Sequence, residues 1–337
     1  MTYRVAIMGC GGVSRPHARG YLATHRAQIV AACDPKEEAR KGFSEEFGVD
    51  ATFPDAEGML DALHPDLVSI CTLNPTHAEL TILAARKGVR GIVCEKPMAM
   101  NLREADAMLE ACKQNGVRLI VGHQRRFDWP WVKAKDLLDS GAIGKLLRME
   151  ANIETFDLMT WGTHWLDIFR FFNNDEPTDW VFGHVDIHDT LFMFGQTVES
   201  AGLAKIRYTN GVEAVYHAGK VGVGTTNLLI GTEGMIQINP CCTEEAGPVR
   251  LFNTETKGWQ VLRPSKLQPV YDSFEREMFT FFDCLESSEV HPLEGTSARE
   301  VMAQIIAVYE SSRTRKVIKF PVDIQNNPFF SMLEAEK

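Results

Sequence analysis

Short runs that are apolar at nearly every position alternate with longer amphipathic stretches through the first third of the chain. The runs are Arg4–Met8, Gln28–Cys33, Leu67–Cys71, Gly91–Cys94 and Arg118–Val121, with a weaker one at Ala51–Phe53. Between them the spacing predicts helices over Pro35–Phe47, Thr76–Lys87 and Leu102–Gln114, the last two stopped by Gly88 and by Asn115-Gly116. Strands apolar on both sides, joined by helices, predict a doubly wound parallel sheet of the α/β class. After Gly122 the pattern changes. A helix over Trp131–Ser140, a strand over Lys145–Glu154 and a helix over Thr163–Phe172 lead into a strand-rich stretch from Trp180 to Leu262. Gly183, Asn210-Gly211, Gly219, Gly231–Gly234 and Lys257-Gly258 punctuate it, which predicts a mostly antiparallel, open-faced sheet. Two amphipathic helices, Ser273–Glu286 and Thr296–Arg313, precede a strand at Lys316–Val322 that is expected to return to the second sheet. The chain therefore divides into residues 1–122 and 123–337.

Length supports that division, because 337 residues suffice for two cores. With 45% apolar and 24% charged residues the chain is not of disordered composition. Its 35 basic against 45 acidic residues give a charge of −10. No basic stripe exists to neutralise phosphates, so nucleic acid and anionic membrane are not expected as partners. No apolar run is long enough for a membrane span. None of the eight cysteines forms a C-x-x-C pair, so no metal site is expected. Cys10, Cys33, Cys71 and Cys94 end apolar runs, where reduced cysteine serves as a small hydrophobe, as in a cytoplasmic protein. Cys241-Cys242 reads as a loop pair without a role. His184 and His188 share one face of a predicted strand and read as a polar face rather than metal ligands.

Candidate chemistry gathers at the strand ends. Gly9-Cys10-Gly11-Gly12-Val13-Ser14 follows the first strand and opens a helix. Gly9 permits a tight turn and Gly11 admits a diphosphate to the helix N-terminus, while Ser14 is small and offers a capping hydroxyl. Such a turn alone is also compatible with a purely structural role. Asp34, ending the second strand, decides for a dinucleotide: a carboxylate there accepts hydrogen bonds from the ribose hydroxyls of NAD and repels the extra phosphate of NADP. Thr72, Leu73, Asn74 and His77 follow the next long strand, and Glu95, Lys96 and Pro97 the one after. Both segments lie where ligands bind open α/β sheets.

The ordered set Gly9–Ser14, Asp34-Pro35, Thr76-His77, Glu95-Lys96-Pro97 and Gln124-Arg125-Arg126-Phe127 resembles the Gfo/Idh/MocA oxidoreductases. Gly231-Thr232-Glu233-Gly234 and Glu310-Ser311-Ser312 extend the resemblance into the second half. It implies a Rossmann domain that holds NAD and a second domain that holds substrate and mediates homodimer or homotetramer contacts. It further implies that Lys96 hydrogen-bonds the reacting hydroxyl and Glu95 holds the nicotinamide ribose, while Gln124 and Arg126 line the junction of cofactor and substrate. In Thr160-Trp161-Gly162-Thr163-His164-Trp165-Leu166-Asp167 the family histidine and following aspartate match His164 and Asp167. The family's leading aspartate is replaced by Thr160, which cannot supply charge to the imidazole. Asp157 is near but out of register. The implied activity is NAD-dependent oxidation of a secondary alcohol on a sugar, polyol or related cyclic compound, with His164 as base. The alternatives are a redox-neutral glycosidase or lyase using transient oxidation, and a non-catalytic NAD- or sugar-binding regulator.

Overall fold

The computed structural model describes residues 2–154, 157–219, 225–239, 248–255, 257–264, 273–287 and 289–335. The Cys241-Cys242 pair lies outside them. In chain order the elements begin β1 (Tyr3–Met8), α1 (Ser14–Ala23), β2 (Ala27–Cys33), α2 (Glu37–Phe47), β3 (Thr52–Phe53) and α3 (Ala56–Leu63). There follow β4 (Leu67–Ile70), α4 (His77–Arg86), β5 (Gly91–Cys94), α5 (Leu102–Asn115), β6 (Arg118–Val121), α6 (Trp129–Asp139), β7 (Leu146–Glu154) and α7 (Thr163–Phe172). The strand-rich stretch holds β8 (Thr178–Val185), β9 (Thr190–Met193), β10 (Gln196–Glu199), β11 (Gly202–Tyr208), β12 (Glu213–Gly219), β13 (Thr226–Gly231), β14 (Gly234–Ile238), β15 (Val249–Asn253) and β16 (Gln260–Leu262). Last come α8 (Ser273–Glu286), α9 (Gly295–Thr314), β17 (Ile318–Lys319) and α10 (Pro328–Ala335).

The chain forms two compact units: Met1–Gln124 with Tyr271–Glu300, and Arg125–Val270 with Val301–Lys337. In the first, six parallel strands run in the order β3-β2-β1-β4-β5-β6. The order reverses beside β1, which places a switch point between β1 and β4. Helix α8 belongs to this unit, although the sequence pattern assigns it to the second. An amphipathic pattern shows that a helix buries one face, not against what. Here α8 lies on α1: Phe282 packs on Tyr3 and Tyr21 with ring centroids 5.0 and 6.1 Å apart. A Cβ at Gly20 would meet Phe274 O at 2.9 Å, so glycine permits the approach.

The second unit is built on a nine-stranded sheet, β16-β15-β14-β13-β7-β12-β11-β8-β17, antiparallel except where β7 and β12 pair in parallel. The final strand joins it beside β8. Alternation sets its faces: Met149, Ala151 and Ile153 of β7 and Ala204, Ile206 and Tyr208 of β11 are buried. The intervening Glu150, Asn152, Lys205 and Arg207 remain at least partly exposed. The two later motifs are fastenings of this unit. Ser311 Oγ accepts from Gly183 N at 3.0 Å and donates to Lys316 O at 2.7 Å, and Ser312 Oγ accepts from Val185 N at 3.2 Å, tying α9 to β8. Thr232 Oγ1 accepts from Lys145 N, while Thr232 N and Glu233 N donate to Lys145 O and Ile143 O. Strand β8 ends at Val185; His188 lies in the following turn, with its backbone N on Asp186 Oδ1, so the two histidines do not share a strand face.

Candidate active site

In the first unit the glycine turn leaves β1 through Gly9, whose φ is +88°. A Cβ there would lie 2.7 Å from Cys71 O, so both conformation and space require glycine. A Cβ at Gly11 or Gly12 would meet nothing within 4 Å, so this side of the turn is open to a ligand. Helix α1 begins at Ser14 with no side-chain cap and no acid in its first turn. The capping role that the sequence suggests for the Ser14 hydroxyl is not realised: it donates backward to Gly11 O at 2.6 Å. The unneutralised N-terminus suits a diphosphate. Asp34 stands beside the turn, Oδ2 accepting from Cys10 N and Oδ1 from Lys36 N, both at 2.9 Å; each oxygen keeps capacity for a ribose hydroxyl.

Beyond β4, Leu73 is 56% exposed, whereas Asn74 is buried and its Nδ2 has no partner among the described residues. Gln124, beyond β6, likewise has a buried Oε1 without one. An unpaired amide donor and acceptor at the carboxyl ends of parallel strands fit a dinucleotide. His77, which the sequence reading gives to the cofactor, is placed otherwise. It is fully buried, with Nδ1 2.8 Å from Pro97 O and Nε2 3.3 Å from Thr72 O, so it fastens the segment that carries Lys96. Burial lowers its pKa, which keeps the imidazole neutral. Lys96 is half-buried, and its backbone N donates to Glu95 Oε2 at 3.3 Å.

Beneath these strands lie Cys10, Cys33, Cys71 and Cys94, all buried. Burial raises every one of their thiols, Cys10 to about 11 and Cys33 to about 12. They pack as neutral side chains. Among the described residues no group of three or more His, Cys, Asp or Glu is arranged to hold a metal.

In the second unit a π-helical turn, Leu158–Gly162, leads into α7. Asp157 caps it, accepting from both the backbone N and the hydroxyl of Thr160. Gly162 N closes the turn on Asp157 O at 2.8 Å, and a Cβ on Gly162 would meet the Tyr216 hydroxyl at 2.8 Å. The carboxylate missing at position 160 thus stands three residues earlier, directed at Thr160. His164 follows on α7, buried, with its ring centroid 6.4 Å from that of Trp161.

Arg126, which the resemblance places at the junction of cofactor and substrate, and Asp167, which matches the family's aspartate, are paired with one another. Arg126 Nε and Nη2 reach the two Asp167 oxygens at 2.8 Å each, and Nη1 and Nη2 reach Asp175 at 3.1 and 2.9 Å. Both partners are buried. Burial opposes the guanidinium charge, but the two carboxylates outweigh it and hold Arg126 protonated. Sequence gives no sign of Asp175 as the third member, since it lies in a polar loop.

A second buried acid, Glu199, is not singled out by the sequence pattern. Glu199 ends β10, fully buried, with Oε1 taking Leu158 N at 2.6 Å and Oε2 bonded to the Tyr309 hydroxyl at 2.9 Å. Burial and the neighbouring Asp157 push it up to about 8. A Glu at the end of a strand otherwise alternating in burial was the available signal.

These features define a dinucleotide-binding α/β protein. Residues 3–123 match the Gfo/Idh/MocA family model, which describes an oxidoreductase family with an NAD-binding Rossmann fold. A D-apiose dehydrogenase of Paraburkholderia graminis is 36% identical over 191 residues, covering 51% of this chain and 50% of that protein. A myo-inositol 2-dehydrogenase of Thermotoga maritima is 32% identical over 142 residues, 42% of each chain. The matched region thus spans half or less of these relatives. A levoglucosan dehydrogenase solved with NADH and levoglucosan is alike in fold, with a TM-score of 0.81 at 21% identity over 96% of this chain and all of that one.

Two outcomes test the second unit. Asp167→Ala leaves the buried Arg126 guanidinium with Asp175 as its carboxylate partner and is expected to cost roughly 1–3 kcal/mol in denaturant unfolding; unchanged stability would show that the Arg126–Asp167 pair contributes nothing to the fold. Glu199 keeps its proton in the folded state up to about pH 8, whereas the unfolded chain releases it near 4.5. Its destabilising effect therefore grows as pH rises across that window and is complete above it. Glu199→Gln should melt higher than the parent at pH 8.5, the difference vanishing toward pH 4 (thermal denaturation against pH).

Proposed function

We propose that the protein is an NAD-dependent dehydrogenase acting on a secondary alcohol of a sugar, polyol or related cyclic compound. The observation that carries this reading is the pairing of an open glycine turn at the α1 N-terminus with Asp34 at the end of β2, on a chain that also presents Lys96 after β5. The Gly9–Ser14 backbone holds the diphosphate, and Asp34 takes the adenosine ribose hydroxyls, which favours NAD over NADP. Glu95 takes the nicotinamide ribose, with Asn74 and Gln124 offering their unpaired amide atoms. NAD, when bound, supplies the hydride acceptor.

Hydride leaves carbon readily only as its oxygen gains negative charge. His164 removes the hydroxyl proton, and the Lys96 ammonium stabilises the developing alkoxide. Thr160, held by Asp157, orients the start of α7 instead of supplying charge to the imidazole. The relatives act on apiose and myo-inositol by their names, and a substrate of that class offers the secondary hydroxyl that this chemistry requires. The open face of the second sheet, where Phe182 and Leu203 stand 42% and 39% exposed, supports assembly into a homodimer or homotetramer.

Lys96→Ala and His164→Ala should each lower turnover about a hundredfold or more while NADH binding persists. Parental NADH production across a panel of sugars and polyols would remove that residue from the mechanism. Asp34→Ala should reduce the preference for NAD over NADP about tenfold or more; unchanged selectivity in cofactor titrations would refute its ribose role.

A further inference from the structure

A buried hydrogen-bond chain runs under the carboxyl end of the first sheet. The Tyr21 hydroxyl lies 3.0 Å from Ser69 Oγ, Ser69 Oγ lies 3.1 Å from His17 Nδ1, and His17 Nε2 lies 2.8 Å from Glu95 Oε1. Tyr21, Ser69 and His17 are fully buried and Glu95 nearly so. Three separate segments supply it: α1, β4 and the turn after β5. Its polarity follows from chemistry. A carboxylate only accepts, so Nε2 carries the hydrogen that it shares with Glu95. The chain ends on the residue next to Lys96.

We propose that His17 is a positioning residue for cofactor binding: its Nε2–H fixes the Glu95 carboxylate in one orientation beside Lys96. The proposal rests on the assignment of Glu95 to the nicotinamide ribose. Without a donor the surroundings of Glu95 would favour its protonated form. Burial pushes its carboxyl up; Glu277 of α8 and the Cys71 and Cys94 thiols face it, and only His17, Lys96 and His77 act in the opposite sense. The hydrogen bond from His17 is the largest opposing influence, and the balance falls below the ordinary glutamate range. Glu277, fully buried with neither oxygen partnered among the described residues, shows the other outcome: burial raises it, and it stays protonated. His17 therefore decides which of two neighbouring carboxyls is the anion.

The chain predicts different behaviour for variants of similar bulk. The amide nitrogen of glutamine reaches the place of Nε2, whereas that of asparagine reaches only the place of Nδ1. NADH affinity, measured by fluorescence titration from pH 6 to 9, is compared for the parent, His17→Gln, His17→Asn, His17→Leu, Glu95→Gln and His17→Asn in the Glu95→Gln background. His17→Asn and His17→Leu should weaken NADH about tenfold at pH 6 and recover as pH rises, because Glu95 then ionises without help. His17→Gln should restore most of the affinity and a flat profile. In the Glu95→Gln background His17→Asn should add less than about twofold. Flat, parent-like binding by His17→Asn, or equal losses in His17→Asn and His17→Gln, would overturn the proposal while leaving a weakened Glu95→Gln intact. Parent-like binding by Glu95→Gln would instead overturn the ribose assignment, and this inference with it. Should His17→Leu fail to fold, the Asn and Gln pair still decides.

Discussion

A carboxyl group removed from water must receive donors or keep its proton, and that rule shapes both units of this protein. Glu95 is given a donor by a histidine and is held as the anion, and Asp167 is paired with a guanidinium. Glu199 and Glu277 are given too little, and both retain protons. The four lie in different elements, and burial together with the groups beside each one sets how it is held. The lysine turn, the π turn and the start of α7 take their positions from those neighbours.

Much of the first unit was legible because its physics is local. Strands apolar on both faces, helices closed by glycine and a glycine turn ahead of Asp34 each declare themselves within about ten residues. The second sheet was legible as alternation, and its turns as glycines. What stayed hidden is pairing at a distance. Arg126 and Asp167 are each plausible ligand contacts in isolation, and only the fold shows that they occupy one another. His17 and Glu277 stand at apolar positions of amphipathic helices, which flags them as unusual without naming a partner. The π turn depends on the Tyr216 hydroxyl lying against Gly162, a contact between residues far apart in sequence.

The substitution of threonine for the family aspartate also changes meaning in three dimensions. Read along the sequence, it removes a charge. In the fold a carboxylate is still directed at that position, but it is spent on the Thr160 backbone and hydroxyl. The charge has become a fastening for the backbone that leads into α7, and whatever tunes His164 acts without a carboxylate at residue 160.

The return of α8 to the first unit bears on how the molecule is made. During synthesis the nucleotide-binding sheet is complete once Val121 has emerged, but the aromatic flank of α1 has no cover until residues beyond 270 follow. Tyr3, Tyr21 and the backbone at Gly20 wait through strands β7 to β16 for Phe274 and Phe282. The nucleotide-binding half is consequently not a portable module that a cut near Gly122 would release. Its contact order is high by construction, and its final closure belongs to the finished chain rather than to the nascent one.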